Sequence, residues 1–158
     1  MLKGNKILLR SLIFSDLNFL KSIENNINNW HFGSEEKKFS TDELINYIEN
    51  AKIDIKISKQ YRFVIEYNCS PVGFIDLYNY KNKSVEIGII ISEKYRNRGF
   101  AKESLFLIID YSLKNLGLKK LSATISSDNL LSLMLFKSCG FMISKTENNL
   151  IHFYKLAM

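Results

Sequence analysis

Val85-Glu86-Ile87-Gly88-Ile89-Ile90-Ile91-Ser92 and, just beyond it, Arg96-Asn97-Arg98-Gly99-Phe100-Ala101-Lys102 form the stretch whose reading decides the fold. The first half is dominated by β-branched residues and reads as a strand buried on both faces. The second half leaves that strand and opens a helix. From Gly99 onward Leu105, Ile108, Ile109, small Ser112, Leu113 and Leu116 fall at helical spacing, and Gly117 stands where a C-cap is expected. Backbone amides at such a helix start face a common point and the helix dipole adds positive potential there, so the loop is suited to phosphate. Gly99 and Ala101 are small enough for the backbone to approach a pyrophosphate closely, and Arg96 and Arg98 can add charge-assisted contacts. Without the lysine of a Walker A sequence, it is a different kind of phosphate loop. The plainer reading of the hexapeptide alone is a helix start flanked by solvated arginines.

Working outward, Lys120–Ser126 reads as a strand, which makes residues 85–126 a strand, helix, strand unit with parallel strands. Upstream, Arg62–Glu66, Gly73–Tyr80 and Val85–Ser92 are separated by short turn sequences around Asn68 to Pro71 and Lys81 to Ser84, the pattern of an antiparallel meander. Ile7–Arg10 reads as an opening strand. Ser15 is the expected N-cap of a helix over Asp16–Asn26, and Ser40 with Glu43 has the spacing of a capping box for a second helix to about Ala51. A shorter helix over Asn129–Ser138 and strands Phe141–Thr146 and Leu150–Leu156 close the chain. The order βααβββαβαββ, about seven strands and four helices, predicts an α+β fold: a mixed, mostly antiparallel sheet with helices on both faces, hence three layers α/β/α.

The 158 residues are 46% apolar, with seven glycines, one proline and no repeat or low-complexity linker, so one domain over residues 1–158 is expected. Disorder, a disulfide scaffold and a membrane span all require other compositions. Ile7–Leu9 is too short to serve as the apolar part of a signal peptide, and Cys69 and Cys139 alone offer neither a metal cluster nor a disulfide framework. A reducing cytoplasm and no metal follow as expectations. Net charge is +6, from 22 Lys and Arg against 16 Asp and Glu, which favours an anionic ligand. The lysines are dispersed rather than clustered among aromatics, which argues against a nucleic-acid surface.

Arg96, Gly99 and Ala101 match the pattern of Arg or Gln, two residues, Gly, one residue, Gly or Ala, and here the sequence resembles the GNAT superfamily of acetyl-CoA-dependent N-acyltransferases. The resemblance spans nearly the whole chain. Leu8-Leu9-Arg10 with Asp16-Leu17 looks like that family's opening, Pro71-Val72-Gly73-Phe74-Ile75-Asp76 like its third strand, and Val85 to Ser92 like its fourth. Asn129-Leu130-Leu131-Ser132 with Gly140-Phe141 continues it, and the branch it looks most like is the ribosomal-protein and spermidine acetyltransferase-like group. The resemblance implies acetyl-CoA as acetyl donor. Backbone groups of Ile89, Ile90 and Ile91 would pair the pantetheine amides. Residues Arg96, Asn97, Arg98, Gly99, Phe100, Ala101 and Lys102 would hold the pyrophosphate, and Asn129, Ser132 and Phe136 would lie near the pantetheine. Lys137 reaches a nucleotide phosphate or is a solvated surface lysine. Asn129 also reads as a helix N-cap, whatever else it does.

The implied reaction is direct attack of a neutral amine on the thioester carbonyl, accelerated by holding the two reactants together and polarising the carbonyl, which a strand amide can do. Alkylamines with a pKa near ~10 arrive protonated, so a base is needed. Glu86 is the candidate base, the alternative being a water-facing glutamate opposite a lysine; Asp76 and Glu66 are reserve carboxylates. Phe136 occupies the position where many family members carry a tyrosine that protonates the leaving thiolate, which leaves Tyr154 or water for that step, or no dedicated acid. Neither His31 nor His152 has spacing that suggests a cysteine partner, so a covalent cysteine mechanism is not expected.

For the acceptor, Trp30 and Phe32 in the loop Asn25–Phe39, together with Asp76, are candidate substrate contacts, and packing of the two aromatics on the sheet is the plainer reading. The positive net charge leans toward a peptide or protein N-terminus or a small primary amine, with a spermidine-type polyamine as the alternative. A non-catalytic acyl-CoA sensor, suggested by Phe136, is a reading of another class. Partners beyond acetyl-CoA and an amine are not expected: no nucleic acid, no membrane, and a monomer or homodimer.

Overall fold

The computed structural model describes residues 1–26, 29 and 38–158. Its strands are β1 (Leu2–Lys3), β2 (Leu8–Ser11), β3 (Tyr61–Tyr67), β4 (Ser70–Lys81), β5 (Ser84–Ile91), β6 (Lys120–Ser126), β7 (Met142–Glu147) and β8 (Leu150–Leu156). Its helices are α1 (Leu17–Glu24), α2 (Thr41–Glu49), α3 (Ile55–Ser58), α4 (Phe100–Lys114) and α5 (Leu130–Ser138). The strands form one sheet in the order β1-β2-β3-β4-β5-β6-β8-β7. Every pairing is antiparallel except β5 with β6, the pair that the strand, helix, strand reading made parallel.

The eighth strand β1 and the one-turn helix α3 go beyond the seven strands and four helices expected. They have two and four residues, too few for a hydrophobic period to register. The capping box at Ser40 is formed, with Glu43 N–H donating to Ser40 Oγ and Ser40 N–H donating to Glu43 Oε1, both at 3.1 Å. Ser15 is not the cap of the first helix. It lies inside a 3₁₀ turn, Phe14–Asp16, whose open amide at Ile13 donates to the Asp16 carboxylate at 2.9 Å. Asp16 is 2% exposed and is held from the other side by Arg10, whose guanidinium donates to both of its oxygens at 2.8 and 2.9 Å.

Strand alternation separates two cores. Ile65, Ile75, Leu77, Val85, Ile87 and Leu121 pack with Leu105 and Ile108 of α4 and Leu133 and Phe136 of α5. Val64 and Phe74 face the other way, against Leu20 and Ile23 of α1 and Leu44 and Ile48 of α2. The result is three layers, α/β/α. Among the described residues none of β6, β7 or β8 belongs to the second core, and on that side this half of the sheet presents Ser122, Thr124, His152 and Tyr154.

Candidate active site

The site begins where the sheet divides. β5 and β6 pair only over Ser84–Glu86 with Lys120–Ser122. Beyond Glu86, β5 stays on β4 as far as Ile91 opposite Gly73, while β6 stays on β8 along its entire length. From Ile87 to Ile91, β5 therefore has a ladder partner on one side only. Its other edge offers backbone donors and acceptors to an extended amide-bearing chain, which can satisfy them as an added strand would. The pantetheine arm of acetyl-CoA carries such amides, so the residues present fit that cosubstrate. Gly73 keeps the β4 side closed: a Cβ there would sit 2.3 Å from the Ile90 carbonyl oxygen.

At the open end lies the loop before α4. Asn97 and Gly99 are both left-handed, φ 64° and 82°, and the space where a Gly99 Cβ would stand is empty, so glycine is required there by conformation rather than by crowding. Arg96 does not point outward as a phosphate ligand: its Nε donates to the Ile91 carbonyl at 2.9 Å and its Nη2 to Asn29 Oδ1 at 3.3 Å, tying the loop to the end of β5. Arg98 is exposed over the Tyr95 ring, 5.4 Å from its centroid, and with Lys6, Asn68 and Asn97 lines an open cleft of about 700 Å³. Phe100 is 3% exposed and packs on Tyr67, so only its backbone amide is available to a ligand. Ala101 is half-buried and Lys102 exposed. Sequence reading missed Glu103, one turn into α4. Its carboxylate accepts from the backbone amides of Asn5 (2.9 Å), Lys6 (3.1 and 3.2 Å) and Ile7 (2.8 Å), fastening the β1–β2 turn to the start of α4.

Asn129 caps α5, its Oδ1 accepting from Ser132 N–H at 3.2 Å. Phe136 is 2% exposed, edge-on to Phe141 and stacked near Phe153, so it belongs to the core beneath the cleft and is not available as a direct ligand contact.

At the closed end, Glu86 faces the α1/α2 side of the sheet, at the last paired position of β5 and β6. It is half-buried and lines a cavity of about 320 Å³ with Ser122, Thr124, His152 and Tyr154. Asn79 donates to its Oε2 at 2.6 Å from a bulge in β4, and Thr124 donates to its Oε1 at 3.4 Å. Tyr78 sits opposite Glu86 in the ladder, and burial, then repulsion from Glu86 and Asp76, push its phenol up to about 12. About five residues of β5 separate this apex from the open end, roughly 17 Å at the strand rise.

Asp76 is held by Arg62 with two hydrogen bonds, 2.7 and 2.8 Å, and Arg62 also pairs with Glu24, so the carboxylate faces the cleft as half of an ion pair. Burial alone would lower the guanidinium pKa, yet Asp76 and Glu24 hold it well above its ordinary value. The reserve carboxylate Glu66 is likewise paired, with Arg10 at 2.8 Å. Glu24, Asp76 and Glu86 share the α1/α2 side of the sheet, Arg62 pairing the first two, while Lys120 and Lys145 line the Glu86 cavity with it. Trp30 and Phe32 lie outside the described residues.

A sheet split between parallel neighbours, with a glycine phosphate loop at the open end and a carboxylate at the apex, defines an acyl-CoA-using N-acyltransferase. Residues 6–142 match the family model for the GNAT acetyltransferase domain, and the chain belongs to that family. It is similar to a spermidine N(1)-acetyltransferase of Vibrio cholerae, 30% identical over 142 residues that cover 88% of this chain and 80% of that protein. The fold matches the crystal structure of a spermidine N-acetyltransferase from Vibrio cholerae in complex with CoA and spermine, with TM-score 0.85 and 27% identity over 97% and 96% of the two chains. A GNAT-family acetyltransferase from Bacillus anthracis shares the fold at TM-score 0.81 and 19% identity, covering 98% of this chain and 97% of that one. The protein is an acetyl-CoA-dependent N-acetyltransferase.

Proposed function

We propose that residues 1–158 act as a single domain that acetylates a primary amine of a small polycationic acceptor of the spermidine type. The observation that carries the reading is the carboxylate at the apex of the cleft: Glu86 lines the cavity there, its two oxygens accepting from Asn79 and Thr124. The similarity to a relative named for spermidine supports it. A cytoplasmic location and a monomer or homodimer complete the proposal.

Acetyl-CoA supplies the acetyl thioester. The free edge of β5 at Ile89, Ile90 and Ile91 would seat its pantetheine arm, with Asn129 and Ser132 along the same cleft. The amides of Gly99, Phe100 and Ala101, with Asn97, Arg98 and Lys102, would receive its pyrophosphate. Glu86 would take the ammonium proton so that the neutral amine attacks the carbonyl. Tyr154, in the same cavity, would protonate the departing thiolate in place of the hydroxyl that Phe136 lacks.

The test is release of CoA thiol from acetyl-CoA in the presence of spermidine, a monoamine, an amino sugar or a short peptide. Spermidine is expected to give the highest kcat/KM, with a loss of about 100-fold or more in Glu86→Gln. A preference for the peptide would overturn the polyamine reading. Tight acetyl-CoA binding with no release for any acceptor would instead favour a sensor.

A further inference from the structure

His152 takes no part in the reading above, yet it is built into the surroundings of Glu86. Thr124 and His152 are direct partners in the β6–β8 ladder, with Thr124 Oγ1 3.3 Å from His152 Nδ1 and 3.4 Å from Glu86 Oε1. His152 Nε2 is buried and has no hydrogen-bond partner among the described residues. The tautomer follows from Glu86: a carboxylate only accepts, so the Thr124 hydroxyl donates to Glu86 Oε1 and its oxygen is left to accept the hydrogen on His152 Nδ1. With Nδ1–H donating to that oxygen, the threonine hydroxyl hydrogen is directed to Glu86 Oε1. The other carboxylate oxygen is held by Asn79 at 2.6 Å.

The neighbouring groups leave this arrangement intact. Across β7, Lys145 is the ladder partner of His152 and forms an ion pair with Glu147 at 2.9 Å. Tyr154, two residues along β8, lines the same cavity, and its hydroxyl lies 4.0 Å from Met142 Sδ. None of these side chains is hydrogen-bonded to the imidazole among the described residues.

We propose that His152 is a positioning residue for Glu86: in its Nδ1–H form it orients the Thr124 hydroxyl, and the hydroxyl with Asn79 fixes the carboxylate at the apex of the cleft. The inference rests on Glu86 being the base. It requires no proton transfer through the chain, only a fixed donor at each carboxylate oxygen, in the way that outer groups orient acting ones elsewhere.

The experiment compares His152→Asn, His152→Leu, Thr124→Val and Glu86→Gln with the parent enzyme. Asparagine places an amide N–H where Nδ1–H stood; leucine does not. His152→Leu and Thr124→Val should each lose about 10-fold in kcat, the worth of one hydrogen bond to a charged group. The amine KM and the acetyl-CoA dissociation constant should be little changed, and His152→Asn should stay within about threefold of the parent. The chain has two histidines, so the His152 ring nitrogens are assigned by their loss in His152→Asn. Nitrogen NMR should report the Nδ1–H tautomer in the parent and a shift toward Nε2–H in Thr124→Val. Full turnover in Glu86→Gln would remove the base and this inference together. An inactive Glu86→Gln beside a fully active His152→Leu would overturn the positioning role alone. So would equal losses in His152→Asn and His152→Leu, an Nε2–H tautomer in the parent, or a loss accompanied by weakened acetyl-CoA binding.

Discussion

Tyr78 shows how much one side chain reports on the site. Its phenol, pushed up to about 12 by burial and then by Glu86 and Asp76, holds its proton more tightly in the folded chain than in the unfolded one. The stabilisation this gives is complete below the ordinary phenol value of 10.0 and is lost as pH rises through about 12. Thermal midpoints of the parent should therefore fall more steeply over that alkaline window than those of Tyr78→Phe; parallel curves would show that neither burial nor the carboxylates raise the phenol. Arg62 supports a second prediction. Its removal as Arg62→Met takes away the guanidinium that holds both oxygens of Asp76, and the midpoint in urea should drop by the equivalent of about 2–3 kcal/mol, less than at a fully buried pair. The place of Glu86 in β5 was legible in the sequence because a carboxylate interrupts an apolar strand; its contacts with Asn79 and Thr124 were not. The engagement of Asp76 was not legible, since Arg62 lies on another strand and cross-strand register cannot be read from one chain. Thr124 and His152 were hidden for the same reason: they become neighbours only through the β6–β8 ladder.

At the scale of elements, the long strands and α4 were legible because their periods of two and 3.6 run over enough residues to register, and the parallel β5–β6 pair followed from the helix between them. The point at which β5 parts from β6 was not, because it depends on which neighbour each strand keeps. Gly73 is one determinant. Gly73→Ala drives a methyl against the Ile90 carbonyl and must shift β4 or β5. A loss of about 1–3 kcal/mol in stability is expected, together with weaker acetyl-CoA binding, because the same strand supplies the free edge. Glu103→Ala separates two further elements, the β1–β2 turn and α4, by leaving the amides of Asn5, Lys6 and Ile7 without their acceptor. Partial exposure lets water replace some of those bonds, so about 1–2 kcal/mol is expected, read by chemical denaturation.

For the whole molecule, composition and site point in different directions. A net charge of +6 leans away from a polycationic acceptor, but the donor is an anion, and Lys6 and Arg98 line the cleft at its open end. The carboxylates lie at the other end and on the opposite face from α4. On the proposed function the two substrates enter one gap in the sheet from its two ends, a local arrangement that a sum over the sequence averages away. Acetyl-CoA should therefore bind the folded chain without the amine. At about 100 times its dissociation constant it should stabilise the fold by about 2.7 kcal/mol, which raises the thermal midpoint of a domain this size by roughly 5–10 °C. Added salt should shrink that shift, because charge attraction to the phosphates carries part of it. Glu86→Gln should keep the shift, its carboxylate being at the far end of the cleft, while Gly99→Val should lose most of it by straining a left-handed residue at the phosphate loop. A shift equally large in Gly99→Val would move the pyrophosphate away from the start of α4.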